Sequence, residues 1–174
     1  MNEGMEIRDA RPGEFAAAGR LLVEVYGGLE GFPRPHEQPA YYEMLADVGR
    51  FTTQPETRLL VAVDGDQGLA GCVVYFGDMA DYGSGGAATQ IRDASGIRLL
   101  GVSDAFRRRG IGRALIEACI DRARRRAHAQ VILHTTLAMK AAWRMYEQLG
   151  FRRSEDLDFA QKDLPVFGFR KPLP

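Results

Sequence analysis

The sequence predicts a mixed α/β domain with the element order β-α-α-β-β-β-α-β-α-β-β. Three observations carry this. Residues 59–63 and 69–76 are apolar, β-rich runs on either side of Asp64-Gly65-Asp66, which reads as an antiparallel hairpin. Residues 97–102 form another strand-like run. A glycine-arginine loop, a long amphipathic stretch and a buried-type strand at 131–134 follow it. A hairpin-rich first half before a strand–helix–strand–helix unit makes a mixed sheet, and the step over 97–135 is expected to be a right-handed parallel crossover.

Each element has its own signal. Residues 6–10 alternate as a short strand. Pro12 suits the first turn of a helix. Phe15, Ala18, Leu21, Leu22 and Val25 recur at helical spacing until Gly27-Gly28 stops them. Three prolines mark 31–39 as a loop, and Tyr41, Tyr42, Leu45 and Val48 predict a second helix over about 37–48. Residues 77–86 hold four glycines and two aspartates and read as a turn or mobile loop. The helix after the glycine-arginine loop is predicted over 109–126, with Leu115, Ala118, Cys119, Arg122 and Ala123 on one face. Residues 137–149 form the last helix, with Gly150 as its C′ residue and Phe151 just beyond. Residues 151–158 and 165–171 read as two final strands.

The chain has 174 residues, 45% hydrophobic and 26% charged, which is ordinary for one globular domain with a real core. A formal net charge of +0 gives no bulk attraction to nucleic acid or an anionic membrane. The positive charge is nonetheless clustered: Arg107, Arg108, Arg109 and Arg113 near the loop, then Arg122, Arg124, Arg125 and Arg126. No aromatic residues interleave with these clusters in the manner of a nucleic-acid binder. Cys72 and Cys119 each sit in an apolar run, which predicts buried thiols rather than a disulfide or zinc site. His36, His128 and His134 lack metal-ligand spacing, so no metal is expected. The start of the sequence, residues 1–5, is polar, and no apolar run approaches the roughly 20 residues of a membrane span. The expected location is cytoplasmic, as a monomer or homodimer, with no membrane partner.

The stretch Phe106-Arg107-Arg108-Arg109-Gly110-Ile111-Gly112-Arg113-Ala114-Leu115 carries the chemistry. Glycines let backbone approach a ligand closely. The first N–H groups of a helix have no intrahelical partner and carry partial positive charge that favours an anion. Arginines add planar donors matched to phosphate oxygens. A dinucleotide fingerprint would need a third glycine where Leu115 stands, and a P-loop would need Gly-Lys-Ser/Thr where the chain has Gly112-Arg113-Ala114. The cations at 124–126 fall at the C-terminal end of the predicted helix, where the dipole favours them without a ligand.

The pattern R-x-x-G-x-G, here Arg107 to Gly112, resembles the signature of the GCN5-related N-acetyltransferases, the GNAT superfamily. Leu99-Leu100-Gly101-Val102-Ser103 resembles the strand before that signature. Tyr146-Glu147-Gln148-Leu149-Gly150-Phe151 is similar to the family's Tyr-x-x-Leu-Gly-Phe helix ending. The resemblance runs from about residue 97 to 151. It implies a GNAT-like fold with splayed central parallel strands, in one domain over 5–174 after a tail at 1–4.

It also implies a function: transfer of an acetyl group from acetyl-CoA, as cosubstrate, to a primary amine of a small molecule or peptide by direct attack. The pyrophosphate of acetyl-CoA would bind backbone N–H groups from Arg107, Arg108, Arg109, Gly110, Ile111, Gly112, Arg113 and Ala114. The side chains of Arg108, Arg109 or Arg113 would reach the phosphates. The pantetheine arm would pair with the backbone at Leu100, Gly101 and Val102. Tyr146 would be the general acid that protonates the departing thiolate, since a phenol and a thiol are close enough in pKa.

Two positions depart from the family pattern. Met139 stands where many relatives have an asparagine that bonds pantetheine, and Gly96 where relatives of this type often have a glutamate base. The base is left among an ordered water, Asp93, His134 and acidic residues of the N-terminal half. A noncatalytic coenzyme A-binding or regulatory domain is the alternative function. The acceptor walls are expected from Tyr26, Glu30, Phe32, Tyr41, Tyr42, Asp78, Asp81, Tyr82, Asp156 and Asp158, where aromatics with carboxylates suit a cationic amine.

Overall fold

A computed structural model of the protein describes residues 4–174. Of the expected tail at 1–4, all but Gly4 lies outside the described residues. Among these residues, eight strands and four α-helices alternate with short 3₁₀ turns. The strands are β1 Met5–Asp9, β2 Thr57–Asp64, β3 Gly68–Phe76, β4 Ala94–Val102, β5 Gln130–Thr135, β6 Arg152–Arg153, β7 Phe159–Gln161 and β8 Leu164–Pro172. The helices are α1 Phe15–Gly27, α2 Pro39–Ala46, α3 Ile111–Arg125 and α4 Lys140–Gln148. The strands form a mixed sheet in the order β1-β2-β3-β4-β5-β8-β6, with β7 paired to β8. This is the mixed α/β fold the sequence predicts.

The chain forms two compact units. The first comprises Met1–Val74 and Leu99–Ala118. In it β1 pairs antiparallel with β2, from Met5 opposite Asp64 to Asp9 opposite Leu60. The apolar stripe of α1 puts Ala18, Leu21, Leu22 and Tyr26 into the core. α1 and α2 meet where Gly19 leaves room for the Ala46 carbonyl. α2 is shorter than predicted. Its chain continues as a 3₁₀ turn, Val48–Thr53, that buries Val48.

The second unit comprises Tyr75–Arg98 and Cys119–Pro174. β4 and β5 are parallel here, as the crossover predicts, in register from Ala94 opposite Gln130 to Ile97 opposite Leu133. The ladder ends at that pair. β4 runs on to Val102, and Leu99 takes a left-handed φ of 60°. β5 also pairs antiparallel with β8 along its length, from Gln130 opposite Pro172 to Thr135 opposite Phe167. Val131, Ile132, Leu133, Phe151, Leu157 and Phe169 fill the core.

Three further boundaries differ from expectation. α3 begins at Ile111 rather than 109, because Arg108 and Gly110 have left-handed φ values of 63° and 75° that a helix cannot contain. α4 begins at Lys140 after a 3₁₀ turn, Leu137–Met139. Residues 151–158 do not form one strand. They give the two-residue β6 and a 3₁₀ turn, Glu155–Leu157, before β7, because the chain bends to bury Leu157 completely. Both cysteines are buried and free, and burial pushes each thiol up to about 12, so they stay protonated packing groups.

Candidate functional site

The glycine-arginine loop lies in the first unit. After β4, the Ser103 N–H bonds the Ala70 carbonyl at 2.8 Å and fixes where the loop leaves the sheet. A 3₁₀ turn, Asp104–Phe106, then buries Phe106. Left-handed residues at Arg108 and Gly110 reverse the chain. Glycine adopts this conformation freely, whereas at Arg108 it costs about 1–2 kcal/mol. The first helical bond runs from the Ala114 N–H to the Gly110 carbonyl at 3.0 Å. The N–H groups of Ile111, Gly112 and Arg113 therefore precede the helical ladder. Ile111 and Leu115 are buried, which anchors this first turn while Arg113 stays exposed.

The four arginines predicted here are not equivalent. Arg107 pairs with Asp104 at 2.8 Å and Arg113 with Glu117 at 3.2 Å, both exposed contacts along one turn. Such pairs contribute about 0.2–1 kcal/mol and exchange readily for a stronger anion. The Arg109 guanidinium sits 5.2 Å from the Phe106 ring centroid. The Asp64 carboxyl lies low chiefly through the Gln67 and Asp66 N–H groups, with Arg109 adding to the effect. Arg108 is exposed and, among the described residues, has no ion-pair partner.

Tyr146 lies in the second unit, on the inward face of α4, and is 6% exposed. The sequence motif has a local explanation. Gly150 takes φ 94° just after the helix. The Gly150 N–H then bonds the Glu147 carbonyl at 3.1 Å, and the Phe151 N–H bonds the Tyr146 carbonyl at 3.0 Å. This helix end returns the Phe151 ring onto Tyr146, with centroids 5.9 Å apart. Burial pushes the Tyr146 hydroxyl above its ordinary pKa. Among the described residues that hydroxyl has no hydrogen-bond partner.

The base candidates separate. Gly96 is buried, and a side chain there would run into the Tyr82 ring and the Met79 sulfur, which would lie 2.8 Å from an added Cβ. The Tyr82 hydroxyl and His134 Nδ1 are 2.8 Å apart, and His134 Nε2 is 2.8 Å from the Leu157 carbonyl. A carbonyl only accepts. Nε2 therefore donates, and Nδ1 accepts from Tyr82. Burial also lowers the His134 pKa. With both ring nitrogens bonded and its edge against Phe159, His134 has no lone pair free for a substrate. Asp93 is exposed and precedes β4, at the opposite end of the β4–β5 ladder from His134.

The expected acceptor residues are largely committed elsewhere. In the first unit, Tyr26, Phe32 and Tyr41 pack in a closed triangle with centroids 5.4–6.2 Å apart. The Tyr42 hydroxyl donates to the Pro33 carbonyl at 2.7 Å. In the second unit, Asp158 forms a bidentate pair with Arg153 at 2.8 Å and accepts from the Gly168 N–H at 2.7 Å. Asp156 engages Ser154 and Arg170. Asp78 accepts from the Ala80 N–H at 2.9 Å. Asp81 and Glu30 keep their carboxylates without side-chain partners among the described residues. Sequence reading missed the Tyr82–His134–Leu157 chain, the Arg153–Asp158 pair and the contact at Gly96. The Tyr82–His134–Leu157 chain and the contact at Gly96 join residues distant in sequence, which no local pattern signals, while Arg153 and Asp158 are brought together across the Glu155–Leu157 turn.

Among the described residues, no group of three or more His, Cys, Asp or Glu side chains is placed to hold a metal ion. Among them, too, no helix is long and apolar enough to cross a membrane.

Known proteins give a consistent comparison. No curated protein matches the chain. Among solved structures, a GNAT-family acetyltransferase from Staphylococcus aureus Mu50 covers 98% of this chain and 99% of its own, with a TM-score of 0.74 and 14% identity. The PaiA N-acetyltransferase of Thermoplasma acidophilum, solved in complex with coenzyme A, covers 97% and 99%, with a TM-score of 0.74 and 12% identity. A GCN5-related N-acetyltransferase from Kribbella flavida covers 98% and 99%, at 0.69 and 22%. These likenesses establish the fold. The family model described as Acetyltransferase (GNAT) family matches residues 22–151, well over half of the sequence, and the chain therefore belongs to the GNAT acetyltransferase family.

Proposed function

We propose that this chain is an acetyl-CoA-dependent N-acetyltransferase, one domain over residues 5–174, that acetylates a primary amine of a small molecule or peptide. The start of α3 carries the reading. Three N–H groups, at Ile111, Gly112 and Arg113, precede the helical ladder beside an uncommitted cation at Arg108. Such a helix start is suited to a pyrophosphate. Arg107, Arg109, Gly110 and Ala114 complete the loop. Leu100, Gly101 and Val102 continue β4 past the last residue in register with β5, which supports their backbone as the partner of the pantetheine amides. The PaiA structure with coenzyme A supports the donor.

The chemistry is direct attack. The neutral amine forms a C–N bond to the thioester carbonyl, and the tetrahedral intermediate collapses with cleavage of the C–S bond. The sulfur leaves with the proton of the Tyr146 hydroxyl, and the nitrogen gives its proton to water or a carboxylate. Tyr146 is then reprotonated from solvent. A phenol is protonated across the working pH range, and the Tyr146 hydroxyl is not spent on another partner. His134 is doubly bonded and Asp93 lies at the far end of the ladder, which leaves water or an acidic residue of the N-terminal half, such as Glu30 or Asp81, to pass the proton on. A free aliphatic amine has a pKa near 10, so kcat/KM rises with pH as the acceptor deprotonates.

Thiol release from acetyl-CoA, followed across a panel of small amines and N-terminal peptides, tests the reading. Saturable, amine-dependent release is expected. Acetyl-CoA binding without release by any amine would make the chain a noncatalytic coenzyme A-binding domain instead.

A further inference from the structure

β3 carries a glycine, Gly71, within an otherwise apolar buried run. Its position in the first unit explains it. A Cβ at Gly71 would stand 2.9 Å from the Gly101 carbonyl oxygen, 3.2 Å from Ile111 Cγ2 and 3.2 Å from Leu115 Cδ1. The first of these is main chain and cannot swing aside. The other two belong to side chains that are 2% and 0% exposed, in a close-packed core where they would have to give by a few tenths of an ångström. Gly71 is thus the floor on which the first turn of α3 rests. Gly101, on the neighbouring strand β4, is the residue beside it.

We infer that Gly71 is a positioning residue for the acetyl-CoA phosphates: it sets the depth of the α3 start, and with it the Ile111, Gly112 and Arg113 N–H groups. This rests on the proposed role of the loop. A methyl group at position 71 crowds the Gly101 carbonyl on β4 and the Ile111 and Leu115 side chains, and relief of the latter two moves the helix start away from β3. Ile111 carries both a side chain in that contact and an N–H group at the cradle. Displacement of the contact therefore displaces the donors. Hydrogen bonds to a held anion are short and directional, so a shift of a few tenths of an ångström is felt in affinity.

The test compares acetyl-CoA with acetyl-pantetheine, which keeps the thioester and arm but has no phosphates. The quantity read is the ratio of kcat/KM for the two donors, in the wild type, Gly71→Ala and Gly49→Ala. Gly49→Ala is a control in the same unit. Its added Cβ would meet the Phe15 ring at 2.5 Å, so it perturbs packing away from α3. Gly71→Ala is expected to lower the ratio about tenfold. Gly49→Ala is expected to lower the melting temperature and leave the ratio unchanged. An unchanged ratio in a folded Gly71→Ala overturns the inference. If Gly71→Ala does not fold, Leu115→Val serves, since it withdraws the methyl group seated on Gly71. Its ratio is expected to fall about threefold, and an unchanged ratio again overturns the inference. A wild-type ratio near one would instead overturn the loop as the phosphate site, and the inference with it.

Discussion

The glycine-arginine loop and the carboxylate-rich end of the chain were read from the same kind of evidence, and they behave differently. The loop is built almost wholly from neighbours in sequence. Asp104 holds Arg107, Glu117 holds Arg113, and Gly110 supplies the left-handed turn that starts α3. Asp156 and Asp158, in residues 153–158, are expected on the acceptor wall, where carboxylates suit a cationic amine. Here Asp158 is spent on Arg153 and Gly168, and Asp156 on Ser154 and Arg170. A backbone cradle is a property of local conformation. A carboxylate's availability depends on every donor that reaches it, near or far: Arg153 lies five residues from Asp158, and Arg170 fourteen from Asp156.

Six substitutions sharpen this contrast. Tyr146→Phe has the largest expected effect. It should lower kcat by about a hundredfold, within the usual range for a general acid, while acetyl-CoA affinity measured by calorimetry stays nearly unchanged. Equal turnover at every pH would remove the acid role. Gly96→Ala should cost about 2–3 kcal/mol in denaturant unfolding, because the methyl group runs into the buried Tyr82 ring and the Met79 sulfur. Stability equal to wild type would mean that Tyr82 yields freely.

Arg108→Ala should weaken acetyl-CoA binding by about five- to tenfold and reduce its salt dependence, as loss of a charge-assisted contact does. Arg107→Ala and Arg113→Ala should cost less, because those cations already have carboxylate partners. Equal effects at all three positions would erase the distinction.

The smallest effect concerns His134. Its pKa is lowered in the folded state by burial, so the unfolded chain binds its proton more readily. The neutral imidazole's contribution is present above the unfolded value of about 6.5, and it is lost as pH falls through the lowered folded value. His134→Gln should flatten this acid limb of the stability curve and leave the pH profile of kcat/KM in place. A profile that loses an inflection in the variant would restore His134 as a proton acceptor.

What was legible in the sequence follows the same division. The mixed α/β architecture, the 97–135 crossover and the Tyr146–Phe151 helix ending rest on periodicity and glycine placement, and they appear as read. Gly150 and Phe151 are informative because the helix end needs a left-handed residue and an apolar one at those steps. The strand expected over 151–158 failed because alternation says nothing of Leu157, which bends inward to fill the core. Gly96 was visible as a missing carboxylate, but its reason was not. Tyr82 arrives from a loop fourteen residues earlier and brings His134 with it. His134 itself was a fair base candidate by residue type. Only the two bonded nitrogens remove it.

The central claim is that the start of α3 binds the phosphates of acetyl-CoA. Calorimetric titration of acetyl-CoA into the wild type and Gly112→Asp tests it most directly. An aspartate there puts a side chain and a negative charge against the cradle. Saturable one-to-one binding by the wild type and none by Gly112→Asp is the predicted result. Retained affinity in a folded Gly112→Asp, or no binding by the wild type, would contradict it.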